Sequence, residues 1–110
     1  MVKITTISFN DIFVPADEKK ILKALNALDS LDTEDINPKS KPVKLFNAIG
    51  GETWEIILFN PETKMGFGLC DLGVGYPELG YVSVAELFKS VPMLEKDKFY
   101  NLTWKDVLDR

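Results

Sequence analysis

Asp71 and Glu78 are the one pair of carboxylates on a stretch of chain shaped by glycine. Two such groups could ligate Mg²⁺ or Ca²⁺, which prefer oxygen, or divide general acid and base roles between them. Both lie in the run Gly66 to Tyr81, which holds five of the seven glycines. Glycine serves where the backbone needs positive φ or another group must approach closely. The same residues have a plainer reading: Asp71 bonds the amides of a turn, and Glu78 stands at a strand start and pairs with a lysine. Calcium loops carry acidic residues at alternating positions, which this run lacks, so the plainer reading leads.

The aromatic residues nearby add surface chemistry. Tyrosine combines an apolar body with a polar tip and is enriched at interfaces. Tyr76, beside Pro77 at the tip of the expected loop, is a candidate partner contact. Tyr81 alternates with Leu79 and reads as a sheet residue, core before contact surface. Trp54 and Trp104 read as core before ligand platform. Cys70 has small residues around it and no basic neighbour, which describes a buried, inert thiol. The candidate binding set is therefore Asp71, Tyr76, Glu78, Tyr81 and Trp54. No catalytic residue, metal ligand or cofactor is assigned.

Other chemistry is absent from the chain. With no histidine, Ser-His-Asp and Cys-His catalysis, imidazole zinc sites and histidine pH switching are excluded. No serine is followed three residues later by lysine, so that nucleophile pattern is missing as well. There is no Gly-x-x-x-x-Gly-Lys phosphate loop. Gly73 and Gly75 do not open a dinucleotide turn, because Glu78 takes the third glycine position and Pro77 precludes the helix that would follow.

The glycine-rich loop needs strands to hold it. Met65 to Leu72 reads as one strand, with Met65, Phe67 and Leu69 on one face and the small Gly66, Gly68 and Cys70 on the other. The small face is where a helix or a large ring, Trp54 for example, could press close. Leu79 to Val84 reads as the next strand. Upstream, Val43 to Phe46 is a short strand ending at the Gly50-Gly51 turn. In Glu52 to Asn60, Trp54, Ile56 and Leu58 alternate with Ile57 and Phe59, and apolar residues on both faces imply a strand central in its sheet. Asn60 to Thr63 is the hairpin turn that follows.

Helices cover the sheet. After an extended segment over residues 2–14, Ile21, Leu25 and Leu28 make a helical stripe from Asp17 onward. Ser83, with Glu86 three residues on, caps a helix whose Val84, Leu87, Phe88 and Val91 face one way until Pro92. Thr103 caps a short helix carrying Trp104, Val107 and Leu108. Residues 29–42 form an acidic, proline-containing connector in which Asp29, Asp32, Glu34 and Asp35 read as solvated, and less readily as a mimic of nucleic-acid phosphates. The sum is one α+β domain over 1–110: a small, mainly antiparallel sheet with two or three packed helices.

Composition limits the partners. The 110 residues suit one domain. A net charge of −4 opposes non-specific binding to nucleic acid or to an anionic membrane and suits a soluble cytoplasmic protein, or one that docks on a basic partner. The N-terminus lacks the apolar stretch of a signal peptide, no segment approaches a membrane span, and a single cysteine forbids an internal disulfide. An exposed edge such as residues 43–47 could pair across a dimer.

From Pro42 to about Tyr100 the chain resembles a family of small bacterial proteins common on plasmids, phages and integrative elements, the domain of unknown function 2958 family. The matching residues are Val43-Lys44-Leu45-Phe46, Trp54 and Glu55, and Gly68-Leu69-Cys70-Asp71-Leu72-Gly73 with Gly75. They continue through Pro77-Glu78-Leu79-Gly80-Tyr81, Ser83 and Glu86-Leu87. The segment Glu-Leu-Gly-Tyr-x-Ser followed by Glu-Leu is the most specific. Val91-Pro92-Met93-Leu94 departs from the family's usual Gly-Pro-Leu-Gly-Leu-Pro-like link, and residues 1–35 show no match. The resemblance implies a mobile-element setting and carries over no catalytic residue or cofactor.

These observations point to a small, non-catalytic protein that binds another macromolecule, in the first place a protein. It would be an accessory factor of a mobile element, possible forms including an antagonist of host defence. The alternative is a small enzyme, or a ligand- or divalent-metal-binding protein, using Asp71 and Glu78.

Overall fold

Eight residues from Thr53 to Asn60 organise the molecule, because Trp54 through Phe59 are all buried. The structure is a computed structural model and describes residues 15–110; the expected extended segment 2–14 lies outside them. In chain order the described elements are α1 (Pro15–Leu25), β1 (Val43–Asn47), β2 (Thr53–Asn60), β3 (Met65–Asp71), β4 (Glu78–Ser83), α2 (Val84–Ser90), β5 (Leu94–Lys96) and α3 (Trp104–Asp109). The strands form one antiparallel sheet in the order β4-β3-β2-β1-β5. The fold class is α+β, as the sequence indicates, and β2 is the central strand.

β2 carries a β-bulge that its alternation does not announce. Ile56 pairs with Gly68 and Leu58 with Phe67, so Ile57 is the extra residue. A bulge inverts the facing of every residue beyond it. Trp54, Ile56 and Phe59 therefore share one core, and Ile57 and Leu58 share the other. Strict alternation had placed Leu58 with Trp54 and Phe59 with Ile57; the bulge exchanges Leu58 and Phe59. Gly68 makes the exchange possible. A Cβ there would lie 1.9 Å from the Glu55 carbonyl oxygen and 2.9 Å from Ile56 Cα. The small face of β3 thus accepts the backbone of β2 itself, not a helix or the Trp54 ring, and Gly66 faces the Ile56 side chain.

Helices flank both faces. Ile21 and Leu25 of α1 and Val84 and Leu87 of α2 pack with Trp54, Ile56 and Phe59. On the opposite face Trp104 and Val107 of α3 pack with Ile57 and Leu58, joined by Leu31, Ile36, Phe67 and Leu69. Both tryptophans are core residues, as expected. Fully burying each such aliphatic side chain contributes about 1.5–3 kcal/mol.

Local signals in the sequence fix the helix ends. Ser83 Oγ accepts the Glu86 amide at 3.2 Å, and α2 stops at Val91, before Pro92. Thr103 and Asp106 form a reciprocal capping box at α3. The acidic connector is more than a solvated loop. Ser40 and Pro38 offer carbonyls to the first amides of α3, at 2.7 and 2.9 Å, satisfying donors that a helix start leaves free. β1 begins opposite Ile56, and beyond it the Asp29 carbonyl takes the Phe59 amide at 2.9 Å. The carboxylates of Asp29, Asp32, Glu34 and Asp35 face solvent.

β5 has no counterpart in the sequence reading, which left residues 91–94 as a link. Leu94 to Lys96 pairs with β1. Residues 43–47 are therefore covered on both sides, which removes them as an edge for dimer pairing. Among the described residues the sheet ends instead at β4 and β5.

Candidate functional site

The β3–β4 hairpin begins where Asp71 closes β3. Its Oδ1 accepts the Gly73 amide at 3.0 Å, a local bond that turns the chain out of the strand. Gly73 and Gly75 then take φ of 78° and 111°, a region other residues enter only with strain. Pairing resumes at Cys70 and Glu78. The detour leaves Val74 and Tyr76 at 86% and 94% exposure. Leu72 and Leu79 are also exposed, and Tyr81, at 60%, rests edge-on against Phe67 with ring centroids 5.2 Å apart.

Behind this loop lies an open cavity of about 590 Å³. Asp71, Tyr76 and Pro77 form one wall and Leu108 and Arg110 the other, with Glu55 on the floor. Glu55 is the one buried charged residue of the described chain, at 3% exposure. A buried carboxylate needs partners. Tyr100 donates its hydroxyl to Glu55, and Arg110 Nη2 stands 2.5 Å from Glu55 Oε1. Burial, and then the hydrogen bond to Glu55 and its charge, hold the Tyr100 phenol well above its ordinary range, so Tyr100 stays a donor. Lys44 sits 5.8 Å over the Tyr100 ring and 3.9 Å from Asp97. The arrangement joins the last helix to the centre of the sheet.

The structure brings only part of the expected set together. Asp71 and Tyr76 line the cavity, Tyr76 at its rim. Glu78 opens β4 in solvent and belongs to no described ion pair. Tyr81 is in the sheet but on its surface, which corrects the core reading; as an edge-strand residue it has no layer above it. Trp54 is buried on the opposite face and is no part of this surface. Cys70 is half-buried, and burial raises its thiol pKa, which leaves it protonated and unreactive. Among the described residues no group of three carboxylates or thiols is arranged to hold a metal, and no helix is long and apolar enough to cross a membrane.

Glu55, Tyr100 and Arg110 escaped the sequence reading. One signal was available: Glu55 is the lone charge in the apolar run Trp54 to Phe59, and a central strand that buries it must supply a cation or donor from elsewhere. Which residues supply it depends on the long-range return of the chain.

Fold and hairpin together define a small α+β protein whose described residues form a five-stranded antiparallel sheet and display an apolar loop at one sheet edge. The chain belongs to the family described as protein of unknown function (DUF2958), whose model matches residues 14–98. That span takes in α1 and the connector, so the likeness extends beyond residues 42–100 into the N-terminal part that had shown no match. No curated protein and no solved structure matches the chain.

Proposed function

We propose that this protein is a non-catalytic accessory factor that captures another protein through the β3–β4 hairpin. One observation carries the reading: Leu72, Val74, Tyr76, Leu79 and Tyr81 place exposed apolar side chains on a single hairpin at a sheet edge. Isolated surface apolar residues need no explanation, but a contiguous set does. Among the described residues the adjacent β4 edge pairs only with β3, which leaves its outer backbone groups for a partner strand. Asp71 and Glu78 flank the apolar tip, so the complementary surface is an apolar groove rimmed by lysine or arginine. In the mobile-element setting that the family resemblance implies, a cytoplasmic host nuclease, which needs lysine and arginine to hold its polyanionic substrate, would offer such a rim. Blocking one would make the protein an antagonist of host defence.

Tyr76→Ala tests the reading. Affinity capture from host extract, read by mass spectrometry, should identify a partner whose recovery falls at least about tenfold in the variant. The melting temperature should stay unchanged, since the ring lies almost wholly in solvent. Undiminished capture by Tyr76→Ala would refute hairpin docking.

The cavity behind the hairpin favours a second reading, a small ligand held between Asp71 and Arg110. Asp71→Asn separates the two: it should abolish binding of a cavity ligand but only modestly reduce capture of a protein, where Asp71 is a partly exposed rim charge.

A further inference from the structure

The net charge of −4 is unevenly distributed. Lys20 and Lys23 stand about one helical turn apart on α1, which packs beside β5. Lys96 ends β5, and Lys98 follows two residues on. Among the described residues all four line one open cavity of about 620 Å³ with Glu95 as the only carboxylate, four positive charges against one negative, or +3. Among the described residues none of the four lysines is in an ion pair. A neighbouring cavity of about 430 Å³ shares Glu95, Lys96 and Lys98 and adds Phe46 and Phe99. There Asp97 is already engaged by Lys44. Asp97 Oδ1 also accepts the Phe99 amide at 3.0 Å, which fixes the turn that holds Phe99 outward at 85% exposure. Lys98 Nζ lies 5.7 Å from the ring centroid.

We propose that this β5 edge binds nucleotide phosphates, with Lys20, Lys23, Lys96 and Lys98 around the phosphate groups and the base stacked on Phe99. Lysine acts as a point charge toward phosphate, and an exposed aromatic ring beside such a groove is the platform on which unpaired bases stack. An acidic chain as a whole repels polyanions at long range, so binding here is local and salt-sensitive. The expectation of no nucleic-acid contact rested on net charge alone, and net charge does not report how lysines are grouped. A free nucleotide and the end of a single strand present the same chemistry.

Three probes test the site on the full chain: ATP, a short oligothymidylate and inorganic tripolyphosphate, titrated by NMR and calorimetry. ATP or the oligonucleotide should shift the amides of Lys96 to Phe99. Lys96→Gln with Lys98→Gln should weaken binding at least about tenfold. Phe99→Ala should weaken the base-bearing probes about fivefold or more and leave tripolyphosphate unchanged. Tighter binding of ATP would mark a free nucleotide as the ligand, and tighter binding of oligothymidylate a single strand. Absence of binding at about 1 mM, affinity indifferent to the lysines, or ATP binding no tighter than tripolyphosphate and insensitive to Phe99→Ala would each overturn the proposal.

Discussion

β4 and β5 close opposite ends of the same sheet and meet solvent in different ways. β4 belongs to a long hairpin whose tip is apolar and flanked by Asp71 and Glu78. β5 is three residues long, continues into an exposed turn and is lined by lysines from itself and from α1. The balance of charge differs between the edges: Asp71 and Glu78 flank the apolar tip at one, and four lysines outnumber Glu95 in the cavity at the other. Bare edges invite unwanted strand pairing. β5 limits that risk by its brevity and charge, whereas β4 is six residues long. The longer, more apolar edge is the one suited to a protein partner, and the short basic edge is suited to a small anionic ligand.

The comparison assumes a frame that keeps the two edges independent. Gly68→Ala should break that frame most severely. Its Cβ has backbone as its nearest neighbours, with no flexible side-chain end to move aside, so the bulge must open. The variant should lose about 3 kcal/mol or more in denaturant unfolding and lose function at both edges together. Loss at one edge alone would show that the bulge does not set both.

Tyr100→Phe probes the side nearer the hairpin. Removing the hydrogen bond to Glu55 should cost about 1 kcal/mol at neutral pH, discounted because the site is partly open to water. The pH dependence has a definite sign. The Tyr100 pKa is raised in the folded state, so its contribution is complete below the ordinary tyrosine pKa of about 10. It declines as pH rises from there toward the folded-state value. The stability gap between wild type and Tyr100→Phe should therefore narrow above about pH 10. A gap independent of pH would argue against the Glu55 contact; nucleotide binding at the adjacent Phe99 should change little, because the Tyr100 ring and its backbone bond to Asp97 remain.

Gly80→Ala should give the smallest effect, of opposite sign. Gly80 sits in β4 with no positive φ and with open space where a Cβ would stand. Replacing a strand glycine should stabilise by about 0.5–1 kcal/mol. If a partner strand pairs along β4, the added methyl group should leave capture intact or reduce it modestly. Nucleotide binding at β5 should be unaffected.

Much of the frame was readable along the chain because the signals are local. Ser83 and Thr103 announce their helices through side-chain oxygens that reach amides three residues away. Asn60 marks the turn after β2 in a similar way, its Oδ1 accepting the amide two residues on. The apolar density of β2 marks a central strand, since only a strand covered on both faces can bury so many consecutive side chains. β5 gave no such signal. Three residues with one buried side chain have no period to detect, and pairing with β1 alone defines them. The bulge was hidden because it concerns the relative register of two strands, although Gly68 was conspicuous as a small residue.

The candidate site divides along the same line. Asp71, Gly73, Gly75 and Tyr76 make a solvent-facing turn through bonds and dihedrals within a few residues, so their presentation could be reasoned from the chain. Tyr81 and Trp54 could not be assigned a side from alternation, since the edge position of β4 and the two-layer cover of β2 decide exposure. Glu55 meets Tyr100 and Arg110 across 45 and 55 residues, and Lys20 and Lys23 meet Lys96 and Lys98 across more than seventy. Composition and local pattern established an antiparallel α+β domain with an outward glycine turn and no histidine chemistry, because those properties depend on residue type and near neighbours. Tertiary packing alone settled which carboxylate is buried, which strands are edges and where the lysines gather, because separations of that length close only when the sheet is assembled.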